Sequence, residues 1–107
     1  MEEILDKIMS IGGVTGCYIY NLNKGIESRM GYPEGEELRN ISKDLLQIFT
    51  AFGADDNKPR VLCVSYDKAE ITIKQASEHL IVVFHTPKID MPLLRIAINV
   101  ASHIIKK

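Results

Sequence analysis

Three glycines stand in front of an apolar run in the stretch IGGVTGCYIYNLNKG, which covers Ile11 to Gly25. A glycine-rich loop binds phosphate when it follows a strand and leads into a helix, because the helix N-terminus then points at the anion. Here apolar periodicity predicts the reverse order, with a helix before Gly12 and a strand after Gly13. The spacing also matches neither GxGxxG nor GxxxxGK. We therefore interpret Gly12 as a left-handed helix cap, Gly13 as part of the bend, and Gly16 as a close approach of a neighbouring helix or backbone.

The histidines and cysteines do not form a metal-binding pattern. No two of His79, His85 and His103 are four residues apart, and there is no HExxH motif. His79 and His85 bracket one predicted strand, which favours solvated histidines at the strand ends. Cys17 and Cys63 form no CxxC pair and fall inside predicted strands, as small apolar core thiols do. The sequence thus predicts no metal site and favours free thiols over a disulfide.

Catalytic groups are equally sparse. Ser42, Thr50 and Ser65 have no nucleophile-elbow context, and the adjacent Asp55 and Asp56 lack the alternating oxygen ligands of a calcium loop. Catalytic residues that are distant in sequence would escape such a search. Because the residues give no positive case for catalysis, we expect a protein that is not an enzyme and carries no cofactor.

Length and composition are typical of one globular domain that spans residues 1–107, with 46% apolar and 25% charged residues. The 13 basic and 14 acidic residues give a net charge of −1 and form no basic block that would follow a nucleic acid backbone. The longest apolar run, Leu80 to Phe84, is too short to span a bilayer. The opening MEEILDK is unlike a secretory signal, so we expect a cytoplasmic protein.

Apolar periodicity and turn residues predict the element order αββαβββα, which is an α+β fold with a five-stranded antiparallel sheet and helices on both faces. The expected ranges are Glu2 to Ile11, Val14 to Leu22, Ile26 to Gly31, Pro33 to Phe52, Arg60 to Tyr66, Glu70 to Gln75, His79 to His85, and a last helix capped by Asp90 that reaches Ile105.

Two of these elements have informative faces. The strand Glu70 to Gln75 alternates, which predicts Ile71 and Ile73 inward and Thr72 outward with its charged neighbours. The last helix has a wide apolar arc. One side of the arc carries Met91, Leu94, Ile98, Ala101 and Ile105, and the other carries Leu93, Ile96, Ala97, Val100 and Ile104.

The second helix shows the 3-4-3-4 apolar spacing of a helix–helix seam. The residues at this spacing are Leu38, Ile41, Leu45, Ile48 and Phe52, and the arc is widened by Leu46 and Phe49. An amphipathic helix that lies on its own sheet shows the same spacing. Spacing alone therefore does not decide between a helix partner and the chain's own sheet.

The width of the predicted sheet favours a partner. Five strands cover about 20 Å, whereas one helix is about 10 Å wide. The first and third helices can jointly cover one face, but the second helix alone cannot cover the other, although several strands are apolar on both sides. The strand VLCVSY has no charge between its ends and would be unprotected on a sheet edge. The same helix and strand of a symmetry mate would complete the cover and pair the edge.

These residues resemble the roadblock family, named for a dynein light chain. Domains of that family typically show a Gly-Val-x-Gly stretch, an apolar strand and a polar turn with glycine. The stretch Gly13-Val14-Thr15-Gly16 and the turn Asn23-Lys24-Gly25 match this pattern. The order αββαβββα matches over essentially the whole chain. Longin and profilin-like domains share the ββαβββ core, and the helix before the first strand favours roadblock.

The resemblance implies the strand order 2-1-5-4-3, with the strand Arg60 to Tyr66 on an edge. It also implies a dimer, formed with a second copy or with a related roadblock domain through the second helix and that strand. Together with the seam, this predicts an interface that contains Leu38, Ile41, Leu45, Ile48, Phe49, Phe52, Val61, Cys63 and Ser65.

The implied partner of the dimer is a small Ras-like GTPase, which the roadblock protein regulates or scaffolds while the GTPase holds the nucleotide. Three alternatives remain. They are a motor light-chain scaffold without GTPase contact, a small-molecule-sensing profilin-like domain with the ligand on the uncovered sheet face, and an enzyme whose polar cluster forms only on folding.

Overall fold

A computed structural model describes residues 2–32, 35–53, 61–66 and 69–106. Its helices and strands follow the expected order, and their ends lie within two residues of the expected ones. The elements are α1 (Glu2–Met9), β1 (Val14–Asn21), β2 (Gly25–Gly31), α2 (Gly35–Gly53), β3 (Val61–Tyr66), β4 (Ala69–Ala76), β5 (His79–His85) and α3 (Met91–Lys106).

The strands form one antiparallel sheet in the order β2-β1-β5-β4-β3. This is the strand order that the resemblance implies. The central strand is β5, and β2 and β3 lie on the two edges. The α+β class, with an antiparallel sheet between helices, is thus confirmed.

Each face of the sheet packs against a separate helix layer. The layer of α1 and α3 forms a core of Ile4, Leu5, Ile8, Ile11, Cys17, Ile19, Ala76, Ile81, Val83, Ile89, Leu94, Ile98 and Ala101. The layer of α2 forms a core of Tyr18, Leu38, Ile41, Leu45, Ile71, Ile73, Leu80, Val82 and Phe84. The central strand β5 contributes to both cores, which explains why its sequence is apolar on both sides.

Local polar contacts fix the ends of these elements. The backbone N–H of Leu93 donates to Asp90 Oδ1 at 3.2 Å, so Asp90 caps α3 as expected. In the turn between β1 and β2, Asn21 Oδ1 accepts from the backbone N–H of Asn23 at 2.8 Å and of Lys24 at 3.1 Å. This side-chain turn, followed by the positive φ of Gly25, reverses the chain and sets the β1–β2 pairing.

The expected alternation of β4 is only half right. Ile71 and Ile73 are buried under α2, as expected, but Thr72 is fully buried as well. Thr72 pairs with Val83 of β5, and Val83 belongs to the core under α1 and α3. The second face of β4 is therefore covered by a helix layer rather than by water.

The left-handed position after α1 is Gly13, with φ 101°, and the prediction of Gly12 is wrong. The chain does not reverse directly at the helix end, since Val14 N–H donates to the carbonyl of Ile11 at 3.2 Å. That hydrogen bond closes a turn in which Gly13 is the third residue, and it is this position that requires a positive φ.

The expected close approach at Gly16 is confirmed, and the neighbour is backbone. Tyr32 follows β2, and its N–H donates to the carbonyl of Thr15 at 3.1 Å. A Cβ atom on Gly16 would lie 1.6 Å from the carbonyl oxygen of Tyr32. Only glycine therefore allows this end of β2 to lie against β1.

The two thiols lie in opposite environments. Cys17 is buried under α1, where its Sγ–H donates to the carbonyl of Leu5 at 3.8 Å. Burial, assisted by the nearby Asp6 carboxylate, raises the pKa of the Cys17 thiol to about 12. Cys63 is exposed because β3 is an edge strand. The expectation of a core thiol is right for Cys17 and wrong for Cys63.

We expect Gly16→Ala to lower the free energy of unfolding by about 1–3 kcal/mol, because the two backbones must separate to admit the methyl group. Gly12→Ala is the matched control, since a Cβ atom on Gly12 meets nothing within 4 Å. Its effect should stay within about 0.5 kcal/mol. Urea denaturation measures both variants, and equal stability would contradict the close contact.

We also expect the free energy of unfolding to fall as the pH rises from about 9 to about 12. Burial raises the pKa of Tyr18 to about 12, an effect opposed by its hydrogen bond to Ser42 and assisted by Tyr20. The unfolded chain loses the protons of Cys17 and Tyr18 near their ordinary pKa values of 9.0 and 10.0, whereas the folded chain keeps them. The folded state therefore binds more protons over this range, and rising pH favours unfolding.

Urea midpoints measured from pH 8 to pH 11 test this expectation. Cys17→Ala should show a shallower fall than the parent protein, because one of the two groups no longer ionises on unfolding. A midpoint that does not change over the range would show that neither group is buried in its protonated form.

Candidate interaction surfaces

The outer side of β3 is an open sheet edge. Within residues 2–32, 35–53, 61–66 and 69–106, β3 pairs with β4 on one side and with no strand on the other. Its sequence VLCVSY carries no charge, and Cys63 and Ser65 are exposed. The other edge strand, β2, carries Glu27 and Arg29, which discourage pairing with a further strand. The backbone groups on the outer side of β3 are therefore the ones best suited to pair with another chain.

The nine predicted interface residues lie in three environments. Three are buried against the chain's own sheet, namely Leu38, Ile41 and Leu45. Three are partly or largely accessible, namely Ile48, Cys63 and Ser65. The side chains of the remaining three, Phe49, Phe52 and Val61, lie outside the described residues. The first half of the apolar seam of α2 thus packs within one chain.

The expectation that α2 is too narrow for a five-stranded face stays a prediction, because most side chains of β3 lie outside the described residues. The sheet side chains in the α2 core come from three strands, β1, β5 and β4, whose outer axes are about 10 Å apart. Aromatic rings extend the cover, since the ring centroid of Phe84 lies 6.1 Å from that of Tyr18 and 5.7 Å from that of Tyr32. Ser42 of α2 donates to the hydroxyl of Tyr18 at 3.1 Å. One chain therefore buries the part of this face that β1, β5 and β4 contribute, and the cover over the edge strands stays a prediction.

The outer face of α3 is apolar and exposed. It carries Leu93, Ile96, Val100 and Ile104, with exposed fractions of 47%, 61%, 48% and 49%. Their spacing keeps them on one side of the helix, away from Leu94 and Ile98, which pack on the sheet. We call these four residues the α3 stripe. Contiguous apolar surface of this kind is typical of protein interaction sites.

A groove between α1 and α3 continues the α3 stripe. The groove has a volume of about 260 Å³ and is lined by Glu3, Ile4, Lys7, Ala97, Val100, Ala101 and Ile104. Val100 and Ile104 belong to both features. Small-molecule pockets are usually larger, about 300–1,000 Å³. The groove is therefore better suited to receive a side chain of a protein partner than a whole metabolite.

The histidines at the ends of β5 were expected to be solvated, but both are buried or largely buried. His85 is fully buried, with Nδ1 3.0 Å from the carbonyl oxygen of Thr86 and Nε2 2.7 Å from Thr72 Oγ1. The side chain of His79 is largely buried, with Nε2 3.2 Å from Glu27 Oε2. The prediction failed because β5 is the central strand, so its ends are flanked by neighbouring strands on both sides.

The remaining polar groups that the sequence singled out do not come together. Ser42 is engaged with Tyr18, and Ser65 lies exposed on β3. Asp55, Asp56 and the side chain of Thr50 fall outside the described residues. In the part of the chain that the structure describes, no helix is long and apolar enough to cross a membrane.

The sequence carries a signal for the α3 stripe in its apolar periodicity, but this periodicity does not indicate what the stripe binds. The apolar arc of α3, about 200° at 100° per residue, is wider than one sheet contact needs. The surplus side is the exposed one. The open edge of β3 followed from the resemblance, because pattern alone does not place a strand within a sheet.

Comparisons with known proteins bear on the fold. No protein-family model matches the chain, and no curated protein sequence matches it. Solved structures do match. A Roadblock/LC7 domain from Streptomyces avermitilis aligns with a TM-score of 0.76 and 11% sequence identity, covering 99% of this chain and 94% of that one. MglB from Myxococcus xanthus aligns with a TM-score of 0.81 and 14% identity, covering 97% of this chain and 89% of that one.

A further structure, described as MglB with tetrameric arrangement, aligns with a TM-score of 0.76 and 10% identity, covering 98% of this chain and 84% of that one. At such identities the likeness lies in the path of the backbone, so it concerns the fold and not the partners. The sheet order, the two helix layers and these alignments together show that the chain has the roadblock fold.

Proposed function

We propose that residues 1–107 form a non-catalytic interaction module that pairs with a second copy, or with a related roadblock domain, and in that form binds a small Ras-like GTPase in the cytoplasm. The module regulates or scaffolds the GTPase, which supplies the nucleotide chemistry. The open, uncharged edge of β3 is the observation that carries the self-pairing.

Pairing through β3 follows from the needs of the backbone. An edge strand leaves a row of N–H and C=O groups without sheet partners, and a second β3 across a twofold axis would satisfy them and continue the sheet. Ile48, Cys63 and Ser65 are the accessible members of the predicted interface, and Phe49, Phe52 and Val61 stay predictions. The tetrameric arrangement described for MglB supports the idea that proteins of this fold assemble.

A non-catalytic role fits the kind of surface that the structure exposes. The two candidate surfaces are a strand edge, which offers backbone groups, and the α3 stripe, which offers aliphatic side chains. Neither type of group performs acid–base or nucleophilic chemistry, whereas both are typical of protein recognition.

The GTPase half of the proposal rests on the resemblance to roadblock domains, and we assign the GTPase contact to the α3 stripe. The four exposed aliphatic side chains lie on one helix face. They can form the apolar centre that is typical of a specific protein interface. The stripe faces away from the sheet, so pairing at the edge of β3 leaves it accessible. The groove beside it is rimmed by Glu3 and Lys7, which supply polar groups around the apolar centre.

Two of the alternatives make different demands on these surfaces. A motor light-chain scaffold would use the same two surfaces without a GTPase. A small-molecule sensor would need open space on the sheet face under α2, where the described core residues of β1, β5 and β4 are buried.

The self-pairing predicts that Ser65→Lys weakens the dimer at least about tenfold, since a twofold axis brings the two introduced charges close together. Light scattering after size exclusion should find twice the chain mass of 12.0 kDa for the parent protein and a lower mass for the variant at equal concentration. Ser65→Thr is the matched control, because it keeps a neutral hydroxyl in the strand. A monomeric parent protein, or equal masses for both variants, would rule out pairing through β3.

The GTPase contact predicts that Ile96→Asp lowers affinity for a purified Ras-like GTPase from the same genome by about tenfold or more, because a carboxylate would enter the apolar centre of the interface. Asn99→Asp is the control, since it places the same charge on α3 outside the stripe. Calorimetry with the GTPase loaded with GDP or with a non-hydrolysable GTP analogue measures the affinities.

Equal affinity of the two variants would move the contact away from the α3 stripe. The absence of binding in either nucleotide state, with a normal dimer, would reject the GTPase and favour a scaffold of another kind.

A further inference from the structure

Strand pairing brings three metal-ligating side chains to one corner of the sheet. Cys63 of β3 pairs with Thr72 of β4, and Glu70 of β4 pairs with His85 of β5. Since Glu70 and Thr72 are two residues apart, they lie on the same face of β4. Ligand atoms of Cys63, Glu70 and His85 all lie within 4.8 Å of one another.

The distances suit one bound ion. Zinc binds thiolate sulfur at about 2.3 Å and imidazole nitrogen or carboxylate oxygen at about 2.0–2.2 Å, so ligand atoms of a tetrahedral site lie about 3.5 Å apart. Cys63 is exposed and Glu70 is half-buried, so rotation of these two side chains can close the remaining gap without a change of the backbone.

The buried imidazole of His85 is already oriented for this role. Its Nδ1 is 3.0 Å from the carbonyl oxygen of Thr86, and an N–H donated there leaves the lone pair on Nε2. Nε2 is 2.7 Å from Thr72 Oγ1, and the same hydroxyl lies 3.9 Å from Cys63 Sγ. Thr72 Oγ1 therefore lies where an ion on Nε2 would bind, and the Thr72 side chain must rotate about χ1 to admit the ion.

We propose that Cys63, Glu70 and His85 bind Zn²⁺ as three protein ligands, with water at the fourth position. A thiolate, a carboxylate and a neutral imidazole together carry the charge of −2 that neutralises the ion, and a mixed sulfur–nitrogen–oxygen set is typical of zinc rather than of magnesium or calcium. The thiol proton of Cys63 passes to the buffer when the ion binds.

The proposed zinc site departs from the expectation of no metal, which rested on sequence spacing alone. The three residues stand at positions 63, 70 and 85 and meet only through the β3–β4–β5 register. All three belong to one chain, and their side chains lie on a sheet face. Pairing at the edge of β3 needs its backbone groups, whereas the zinc site needs the Cys63 side chain, which is also a predicted interface residue. Cobalt binding and the mass of the dimer are therefore measured separately.

Titration of the reduced, metal-free protein with Co²⁺, followed by Zn²⁺ competition, tests the site. We expect one Co²⁺ per chain, a thiolate-to-cobalt charge-transfer band, and loss of that band when Zn²⁺ displaces the cobalt. Cys63→Ala should abolish the band, and Glu70→Gln should weaken binding by about tenfold or more. Both positions are accessible, so circular dichroism should show both variants folded.

Cys17→Ala and Glu78→Gln are the controls, since Cys17 lies under α1 and Glu78 is exposed in the turn before β5. Both should bind Co²⁺ with the affinity and the band of the parent protein. The proposal fails if saturating Co²⁺ gives no charge-transfer band, if the band persists in Cys63→Ala, or if Glu70→Gln binds as tightly as the parent.

Discussion

Burial of both faces of β5 is the constraint on which the rest of the structure depends. Leu80, Val82 and Phe84 point to the α2 layer, while Ile81 and Val83 point to the layer of α1 and α3. Each such side chain contributes about 1.5–3 kcal/mol when it leaves water. The strand must therefore be central, with a helix layer on each face. The neighbours β1 and β4 then take the inner positions, and their hairpin partners β2 and β3 are left on the edges.

The order of the elements could be predicted because each element is determined by residues that are close in sequence. The 3.6-residue period of α2, the polar turn at Asn23 and the cap at Asp90 each act over a few residues, and each is where it was expected. The faces were harder to predict, since a face is defined by what packs on it. Thr72 and His85 have polar side chains on covered faces, and only the sheet order shows that both are buried.

The same distinction applies to the candidate surfaces. Apolar spacing located Leu38, Ile41 and Leu45, but spacing could not decide whether these residues pack on the chain's own sheet or on another helix. The structure shows that they pack on the sheet. The α3 stripe could be predicted because the apolar arc of α3 is wider than its contact with the sheet. The cluster of Cys63, Glu70 and His85 leaves no sequence signal, because its members are joined by strand register and not by spacing.

The described core residues pack within one chain, and this bears on how assembly and folding are related. An obligate dimer loses its fold when the interface is broken, because the interface is part of the core. Here the described core residues of α2 are buried within one chain, and the α3 stripe lies outside both cores, so the described cores do not need a partner at the α3 stripe. Stability and association at the α3 stripe are therefore separable, and the affinity of that contact can change without a cost to the fold. The proposed interaction module, which would form and release its complexes, requires this kind of separation.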